Sequence, residues 1–388
     1  MYLSTKKQQR AHDTLIYIMK RIVLVGGGSG GHFYPLIAVA QRINDLPEEV
    51  TLFYFGPVAY SRDDLDTNNI QFVKIPTGKH RKYFSFLNFL DIFKVFFGFF
   101  FALIQLYKIY PDVVFSKGGY TSVPVVLAAW VLRIPVMIHE SDTAAGSANK
   151  IAGKFARYIA LGFAEASKFF PAENIAITGI PLRKELLLPA ENAIERLGLP
   201  QDKALIFVTG GSQGAQRINR LILESLDDLL PYYSILHQTG SANEETVRQT
   251  SAELITDTEL LTHYFVKGDL TAEEMHLAQS AAALIISRAG TGTIFEIAQK
   301  GKPSILIPIP EDISHDQRTN AYAYARTGAA SVLEEANLTD GLLTSEITRI
   351  MSDTRVYEEM SVAASAFSQT DAAQTIATTL IGITQEHK

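Results

Sequence analysis

The chain has 388 residues, 47% hydrophobic and 20% charged, a length that suits two domains at ~150 residues each and a balance that excludes extended disorder. Its formal net charge of −6 gives no global attraction for polyanions, so no nucleic-acid partner is expected and any phosphate must be met by local groups. The absence of cysteine excludes disulfides, thiolate metal sites and cysteine nucleophiles, and fits a reducing compartment.

The first eighteen residues, MYLSTKKQQRAHDTLIYI, lack the uninterrupted apolar core and small-residue cleavage site of a secretory signal. They read as a disordered extension, with the folded part expected to begin at Met19-Lys20-Arg21. Short apolar runs then alternate with amphipathic ones. Strands are expected at Ile22–Val25, Val50–Phe55, Phe72–Ile75, Val113–Ser116, Val136–His139 and Tyr158–Leu161, with helices such as Tyr34–Asn44 and Val123–Leu132 between them. The pattern restarts at Leu205–Thr209, followed by a helix from Gln213 and strands near Ile235–Gln238, Phe265–Val266, Leu284–Ser287, Ser304–Ile307 and Ser331–Leu333. Strands alternating with helices mean parallel sheet and right-handed crossovers, so the fold class is α/β, with two Rossmann-like doubly wound domains in tandem. The proline- and charge-rich stretch Gly179–Pro200 marks the seam, giving an N-terminal domain at 19–182 and a C-terminal domain at 183–388. The tail from Val356 is helical in pattern, and its last helix is open to packing on either domain.

The most hydrophobic stretch is Tyr83–Tyr110, in which the thirteen residues Val95–Tyr107 carry no charge. That is well under the ~20 residues that span a bilayer, so no transmembrane helix is expected. The basic run Lys79-His80-Arg81-Lys82 followed at once by aromatics has the composition of a segment lying on an anionic membrane surface. A buried, phenylalanine-rich core helix is the competing reading. The expectation is membrane contact through Lys79–Phe89 and mostly core packing for Phe96–Ile104.

Each half opens with a strand that runs into glycines. In GGGSGG, Gly26–Gly31, five of six residues are glycine. The stretch formally satisfies G-x-G-x-x-G, but the second strand ends in Phe55-Gly56-Pro57 with no acidic residue for a ribose, which argues against a dinucleotide enzyme. No phosphate-loop motif is present. Bare peptides at a helix N-terminus let backbone N–H groups approach a ligand. The second loop, TGGSQGAQRIN at Thr209–Asn219, adds the hydroxyl of Ser212 and reads as a diphosphate cradle. His32 lies in the first turn after the first loop, where a positive helix end favours the neutral imidazole, able to take a proton near pH 7. A capping or packing role is the alternative.

Six motifs occur in order: GGGSGGHFYPLIAVA, SKGGYTSVPVVLAA, HESDTAAGSANK, GIPLR, GGSQGAQRIN and SRAGTGTIFEIAQKGKPSILIPIP. Together they resemble the MurG family of bacterial cell-wall glycosyltransferases over nearly everything from Met19 to Gly328. The resemblance implies a GT-B fold, two Rossmann-like domains facing a cleft, with UDP-N-acetylglucosamine held mainly by the C-terminal domain. The acceptor would be lipid-linked, undecaprenyl-pyrophosphoryl-N-acetylmuramyl-pentapeptide, met at the cytoplasmic face of the cell membrane by a peripheral enzyme. It also implies inversion without a metal, no cofactor, and no dedicated metal site.

Carried over position by position, Ser29, Gly30 and Gly31 match first-loop residues near the transferred sugar and acceptor. His32 matches the loop histidine and Glu140 the acid of the His-Glu motif. Arg183 matches an arginine at the domain seam, Ser212 the diphosphate-loop serine, and Val266 a backbone contact to uracil. The run Thr291, Gly292, Thr293, Ile294, Phe295 and Glu296 matches the loop and helix start that hold the nucleotide, with Glu296 placed to accept ribose hydroxyls. Gln317 matches a glutamine on the sugar hydroxyls. Three positions depart from the family. Asp142 stands where an asparagine that binds the sugar is usual, Gly292 replaces an apolar residue, and Asp316 stands where glutamine or histidine is common.

The implied reaction is attack of the acceptor C4 hydroxyl on C1 of the donor sugar. A base removes the proton and the second loop stabilises the departing diphosphate. His32 is the first candidate for the base, with Glu140 and Asp142 as alternatives that the sequence does not rank. Two other classes are an epimerase acting on a UDP-sugar and a non-catalytic partner in cell-wall assembly.

Overall fold

The computed structural model describes residues 20–76, 86–211, 214–310, 315–368 and 371–386. The expected extension at 1–18 lies outside them. The chain forms two compact units, one comprising Met1–Arg183 with Thr370–Lys388 and the other Lys184–Gln369.

In the first unit, β1 (Lys20–Val25), β2 (Val50–Gly56), β3 (Ile70–Lys74), β4 (Val113–Ser116), β5 (Val136–Glu140), β6 (Tyr158–Leu161) and β7 (Ile175–Ile177) make one sheet. Its order is β3-β2-β1-β4-β5-β6-β7 and every pairing is parallel. A central parallel strand is buried on both faces, and β1 shows this residue by residue. Ile22 and Leu24 enter one apolar cluster with the helix Gly30–Asn44, and Val23 and Val25 enter another with the helix Ser122–Val131. The last helix, Ala372–Glu386, returns to this unit. Its Ile376, Ala377, Leu380, Ile381 and Ile383 join the cluster of Ile22 and Leu24, each Ile or Leu contributing about 1.5–3 kcal/mol by burial. Arg42 and Asp371 fasten its start, 2.7 Å apart.

The second unit repeats the plan with β8 (Ala204–Thr209), β9 (Tyr233–Gln238), β10 (Tyr264–Lys267), β11 (Leu284–Ser287), β12 (Ser304–Leu306) and β13 (Ala330–Val332). The order is β10-β9-β8-β11-β12-β13, again all parallel. Ile206 and Val208 face one cluster and Leu205 and Phe207 the other. In each unit the chain winds outward from its first strand and then returns to that strand's other side. This leaves a topological switch point between β1 and β4, and a second between β8 and β11.

Two elements differ from expectation. Strand β7 was not expected: its apolar run is only three residues long, and it lies at the sheet edge with Ala176 and Ile177 exposed. The stretch Phe96–Ile104 is not mostly core. In the helix Phe86–Ile109 the buried stripe is Gly98, Ala102 and Leu106, spaced four residues apart, and a Cβ on Gly98 would stand 2.3 Å from Pro76 O. Small residues bring this helix close to its neighbours, and the bulky ones are turned outward. Phe96, Phe97, Phe100, Phe101, Ile104 and Tyr107 are all exposed. Within Lys79–Phe89, residues up to Ser85 lie outside the described part of the chain.

Candidate active site

Three loops meet at the carboxyl edge of the first sheet because β1, β4 and β5 are adjacent there. The first is Gly26–Ser29, leading into the helix Gly30–Asn44; the second is Lys117–Tyr120 after β4; the third is Ser141–Gly146 after β5. They touch through bare backbone. Gly118 and Gly119 have φ of +86° and +83°. A Cβ on Gly119 would lie 3.0 Å from Gly27 Cα, and one on Gly118 would lie 2.9 Å from Asn149 Oδ1. Glycine at these positions meets both the left-handed conformation and the close approach.

His32 stands in the first helical turn, with Nδ1 2.7 Å from Ser29 Oγ. That bond engages one ring nitrogen and leaves Nε2 to exchange a proton. Burial, and then the charge of Lys117, lowers the His32 pKa to about 4. The imidazole is therefore neutral at pH 7, the form a base requires. Gly28 and Ser29 are exposed, and no atom lies within 4 Å of the place a Cβ on Gly31 would take. First-turn N–H groups and an open approach together make a place for a negatively charged or hydroxylated ligand.

Glu140 is buried and fully engaged. Its Oε1 accepts from Asp142 N at 3.1 Å, and its Oε2 accepts from Gly146 N at 2.9 Å and Asn149 Nδ2 at 3.0 Å. The carboxylate thus shapes the loop that carries Asp142, which is half-buried. Arg183 lies over the Tyr34 ring, 4.3 Å from its centre, and Tyr34 meets Tyr60 edge to face at 5.7 Å. A Cβ on Gly30 would stand 3.1 Å from Tyr60 Oη, so this group borders the glycine turn. Ser29, Gly30, Gly31, His32 and Arg183 are brought together here, with Glu140 and Asp142 on the adjoining loop.

In the second unit, β8 runs through Gly210 and Gly211 to the helix Gln216–Leu229. Ser212 lies outside the described residues. A polar network braces this turn. Thr209 Oγ1 accepts from Gly211 N at 3.1 Å and donates to Gln238 Oε1 at 2.6 Å, while Gln238 Nε2 donates to Asp269 Oδ1 at 2.8 Å. Behind it Asn219 Nδ2 donates to Thr239 O at 3.0 Å, its Oδ1 meets His237 Nε2 at 3.1 Å, and His237 Nδ1 meets Tyr264 Oη at 2.7 Å. Burial lowers the His237 pKa to about 3, so the ring is a neutral link. Val266 is a buried residue of β10, paired in register with His237.

The helix Thr291–Gln299 begins after Gly290 with no side-chain cap, which presents the first-turn N–H groups of Thr291, Gly292 and Thr293. No atom lies within 4 Å of a Cβ placed on Gly292. Ile294 and Phe295 do not offer side chains to a ligand. Both are buried, Ile294 N is bonded to Gly290 O at 3.0 Å, and the Phe295 ring packs on Phe367 with centres 4.9 Å apart. Positions 294 and 295 fall on the inward face of the helix. Glu296 emerges on the other face, where Gln279 Nε2 donates to its Oε2 at 2.9 Å. Gln317 Oε1 accepts from Ile309 N at 3.2 Å, which leaves its amide donors for a ligand.

Four supporting residues were not anticipated from the sequence: Lys117, Asn149, His237 and Gln279. Lys117 alone had a readable signal, as the residue leaving a strand beside the switch point. Among the described residues no group of three or more His, Asp or Glu is disposed to hold a metal ion.

Two doubly wound units, each with a glycine turn at its switch point, give the two-domain α/β architecture of nucleotide-sugar glycosyltransferases. The Glycosyltransferase family 28 N-terminal domain matches residues 22–161 and the Glycosyltransferase family 28 C-terminal domain residues 205–376. A relative from Bacillus anthracis is 36% identical over 361 residues, 92% of this chain and 98% of its own. Its name is UDP-N-acetylglucosamine--N-acetylmuramyl-(pentapeptide) pyrophosphoryl-undecaprenol N-acetylglucosamine transferase 2. The crystal structure of Acinetobacter baumannii MurG superposes with a TM-score of 0.75 at 26% identity, covering 94% of this chain and 99% of that one. A Neisseria meningitidis UDP-GlcNAc 2-epimerase bound to UDP-GlcNAc reaches a TM-score of 0.69 at 15% identity, over 94% and 100% of the two chains, a likeness of fold alone. The chain belongs to glycosyltransferase family 28 and is a UDP-sugar glycosyltransferase.

Proposed function

We propose that the chain transfers N-acetylglucosamine from UDP-N-acetylglucosamine to the C4 hydroxyl of undecaprenyl-pyrophosphoryl-N-acetylmuramyl-pentapeptide, inverting the anomeric carbon, in peptidoglycan synthesis. The observation that carries the acceptor half is a neutral histidine held by Ser29 at the mouth of a glycine turn. His32 takes the proton of the C4 hydroxyl as the new bond forms to C1 and the bond from C1 to the UDP oxygen breaks. Ser29, Gly30 and Gly31 line the acceptor's approach, and Arg183 offers its guanidinium to a phosphate. In the second unit the glycine turn with Ser212 receives the diphosphate, and its amides stabilise the charge that UDP carries away. Thr291, Gly292 and Thr293 supply backbone donors, Glu296 accepts the ribose hydroxyls, the backbone of Val266 meets uracil and Gln317 meets the sugar. Asp142 replaces an amide donor by an acceptor, and so selects for hydroxyl donors on the sugar.

The enzyme works as a peripheral protein on the cytoplasmic face of the membrane, where a lipid-borne acceptor resides. No described helix is long and apolar enough to cross a membrane. The outward row Phe96, Phe97, Phe100, Phe101, Ile104 and Tyr107 lies on the helix that follows the basic segment from Lys79, so the proposed contact extends beyond Lys79–Phe89 along this helix.

The test is transfer of labelled N-acetylglucosamine to the lipid-linked muramyl-pentapeptide. Product with inverted configuration is expected. Retained UDP binding with no transfer to any lipid acceptor would refute it, and conversion of the donor without acceptor would point to an epimerase.

A further inference from the structure

Lys117 is an anomaly. The residue is 3% exposed, although an uncompensated ammonium costs several kcal/mol to bury. It follows β4 at the switch point, and its own N–H donates to Val25 O at 2.8 Å, so the residue is stitched to the strand that leads into the first glycine turn. Its Nζ donates to Ser141 Oγ, and Ser141 lies between Glu140 and Asp142 in the chain. Burial draws the Lys117 pKa below its ordinary value, and those two carboxylates oppose the fall. The titratable groups packed around it and His32 are Tyr54 of β2, Tyr120 of the same turn, and His139, Glu140 and Asp142 of β5 and its loop. Both His32 and His139 feel the Lys117 charge.

We propose that Lys117 is a positioning residue for the transfer reaction: its buried ammonium, bonded to Ser141, locks the loop that carries Asp142 against the end of β1, where the turn of His32 begins. The ammonium does not touch the substrate. It repels a second positive charge beneath the glycine turn, and it fixes Ser141, so the acidic loop and the histidine keep one register. The proposal rests on the reading of the first unit as the acceptor side.

The test is an NMR titration of the imidazoles in the full chain labelled at histidine, with His32→Gln used to assign the resonance. In Lys117→Met, which keeps the volume and removes the charge, the His32 midpoint should rise by about one pH unit. In Ser141→Ala and in Lys117→Arg it should stay where it is in the unmodified chain. Transfer by Lys117→Met should fall at least tenfold in kcat, with UDP affinity unchanged. A His32 midpoint that does not move in Lys117→Met, or that moves as far in Lys117→Arg, overturns the proposal. Lys117→Gln replaces the methionine variant if that does not fold. The titration needs no substrate, so it stands or falls apart from the transfer reading, which fails only if the unmodified chain transfers nothing.

Discussion

Gly211 and Gly214 both lie on the second glycine turn with positive φ, +84° and +72°, yet alanine at the two positions should have different consequences. At Gly211 no atom lies within 4 Å of the added carbon, so the cost is that of a left-handed alanine, roughly 1–2 kcal/mol. At Gly214 the new Cβ would stand 2.0 Å from Thr239 O, so turn or carbonyl must shift by more than an ångström to reach ordinary contact. Thr239 O also accepts from Asn219 Nδ2 and Asn243 Nδ2, each at 3.0 Å. Displacing it weakens two bonds worth about 0.5–1.5 kcal/mol each, which brings Gly214→Ala to about 2–5 kcal/mol. Asn219 is also the partner of His237, so the shift propagates into the network under the turn. UDP calorimetry on the full chain, with the unfolding transition that UDP shifts, separates the two variants. Gly214→Ala should bind UDP at least tenfold more weakly than Gly211→Ala and unfold at lower denaturant. Equal affinities and equal midpoints would show that Thr239 does not pin the turn, and would remove it as the group that shapes the proposed diphosphate site.

His32→Gln should lower kcat by about 10²–10⁴ while UDP affinity stays within twofold, as transfer assays and calorimetry would show; retained turnover removes His32 from the base role. His139 and His237 are buried neutral, and burial lowers both pKa values to about 3 from an ordinary 6.5. Between those values the unfolded chain binds more protons than the folded one, so this stability is complete above pH 6.5 and is lost as pH falls toward 3, by a few kcal/mol per histidine. Denaturant midpoints from pH 7 to 4.5 should fall, and fall less steeply in His237→Asn; an unchanged slope would contradict burial of the neutral ring. Replacing Phe97 and Phe101 together by serine should change stability by no more than about 1 kcal/mol, since both are exposed, yet reduce sedimentation with anionic vesicles severalfold. Undiminished sedimentation would exclude this row as the membrane contact.

The parallel sheets were legible because strands buried on both faces read as unbroken apolar runs. Thus β1, β4 and β8 were placed within two residues at each end. What escaped depended on neighbours. Strand β7 pairs with β6 at the sheet edge, and its apolar run Ile175–Ile177 is too short to mark a strand by itself. The hydropathy of Phe96–Ile104 said nothing about direction, and the small residues at 98 and 102 decide which side packs. Likewise TGTIFE reads as one binding motif, but a helix gives it two faces, with Ile294 and Phe295 on the inner one. Glycine turns announce themselves locally. Their supports, Lys117, Asn149, His237 and Gln279, come from other strands and helices and become visible only with the sheet order.

The same geometry orders the three base candidates. A general base needs a lone pair open to the incoming hydroxyl and must be unprotonated at working pH before the substrate arrives. Glu140 spends both oxygens on three donors, two in the loop that follows it and one, Asn149, in the next helix, so accepting a proton would turn an acceptor toward those donors into a competing donor and loosen the loop. Asp142 is more open, yet it stands near the Lys117 ammonium, and protonating it would remove a counter-charge from a buried cation. His32 carries neither penalty in its resting state. One nitrogen is satisfied by Ser29, and in the proposed reaction the imidazolium would be a transient charge. Strong depression of its pKa makes His32 a weak base at rest, so as the proposed base it would take the proton late, when bond formation at C1 has made the hydroxyl acidic. A solvent deuterium isotope effect on kcat, abolished in His32→Gln, is the expected sign of that timing. An effect of the same size in both proteins would assign the proton to another group.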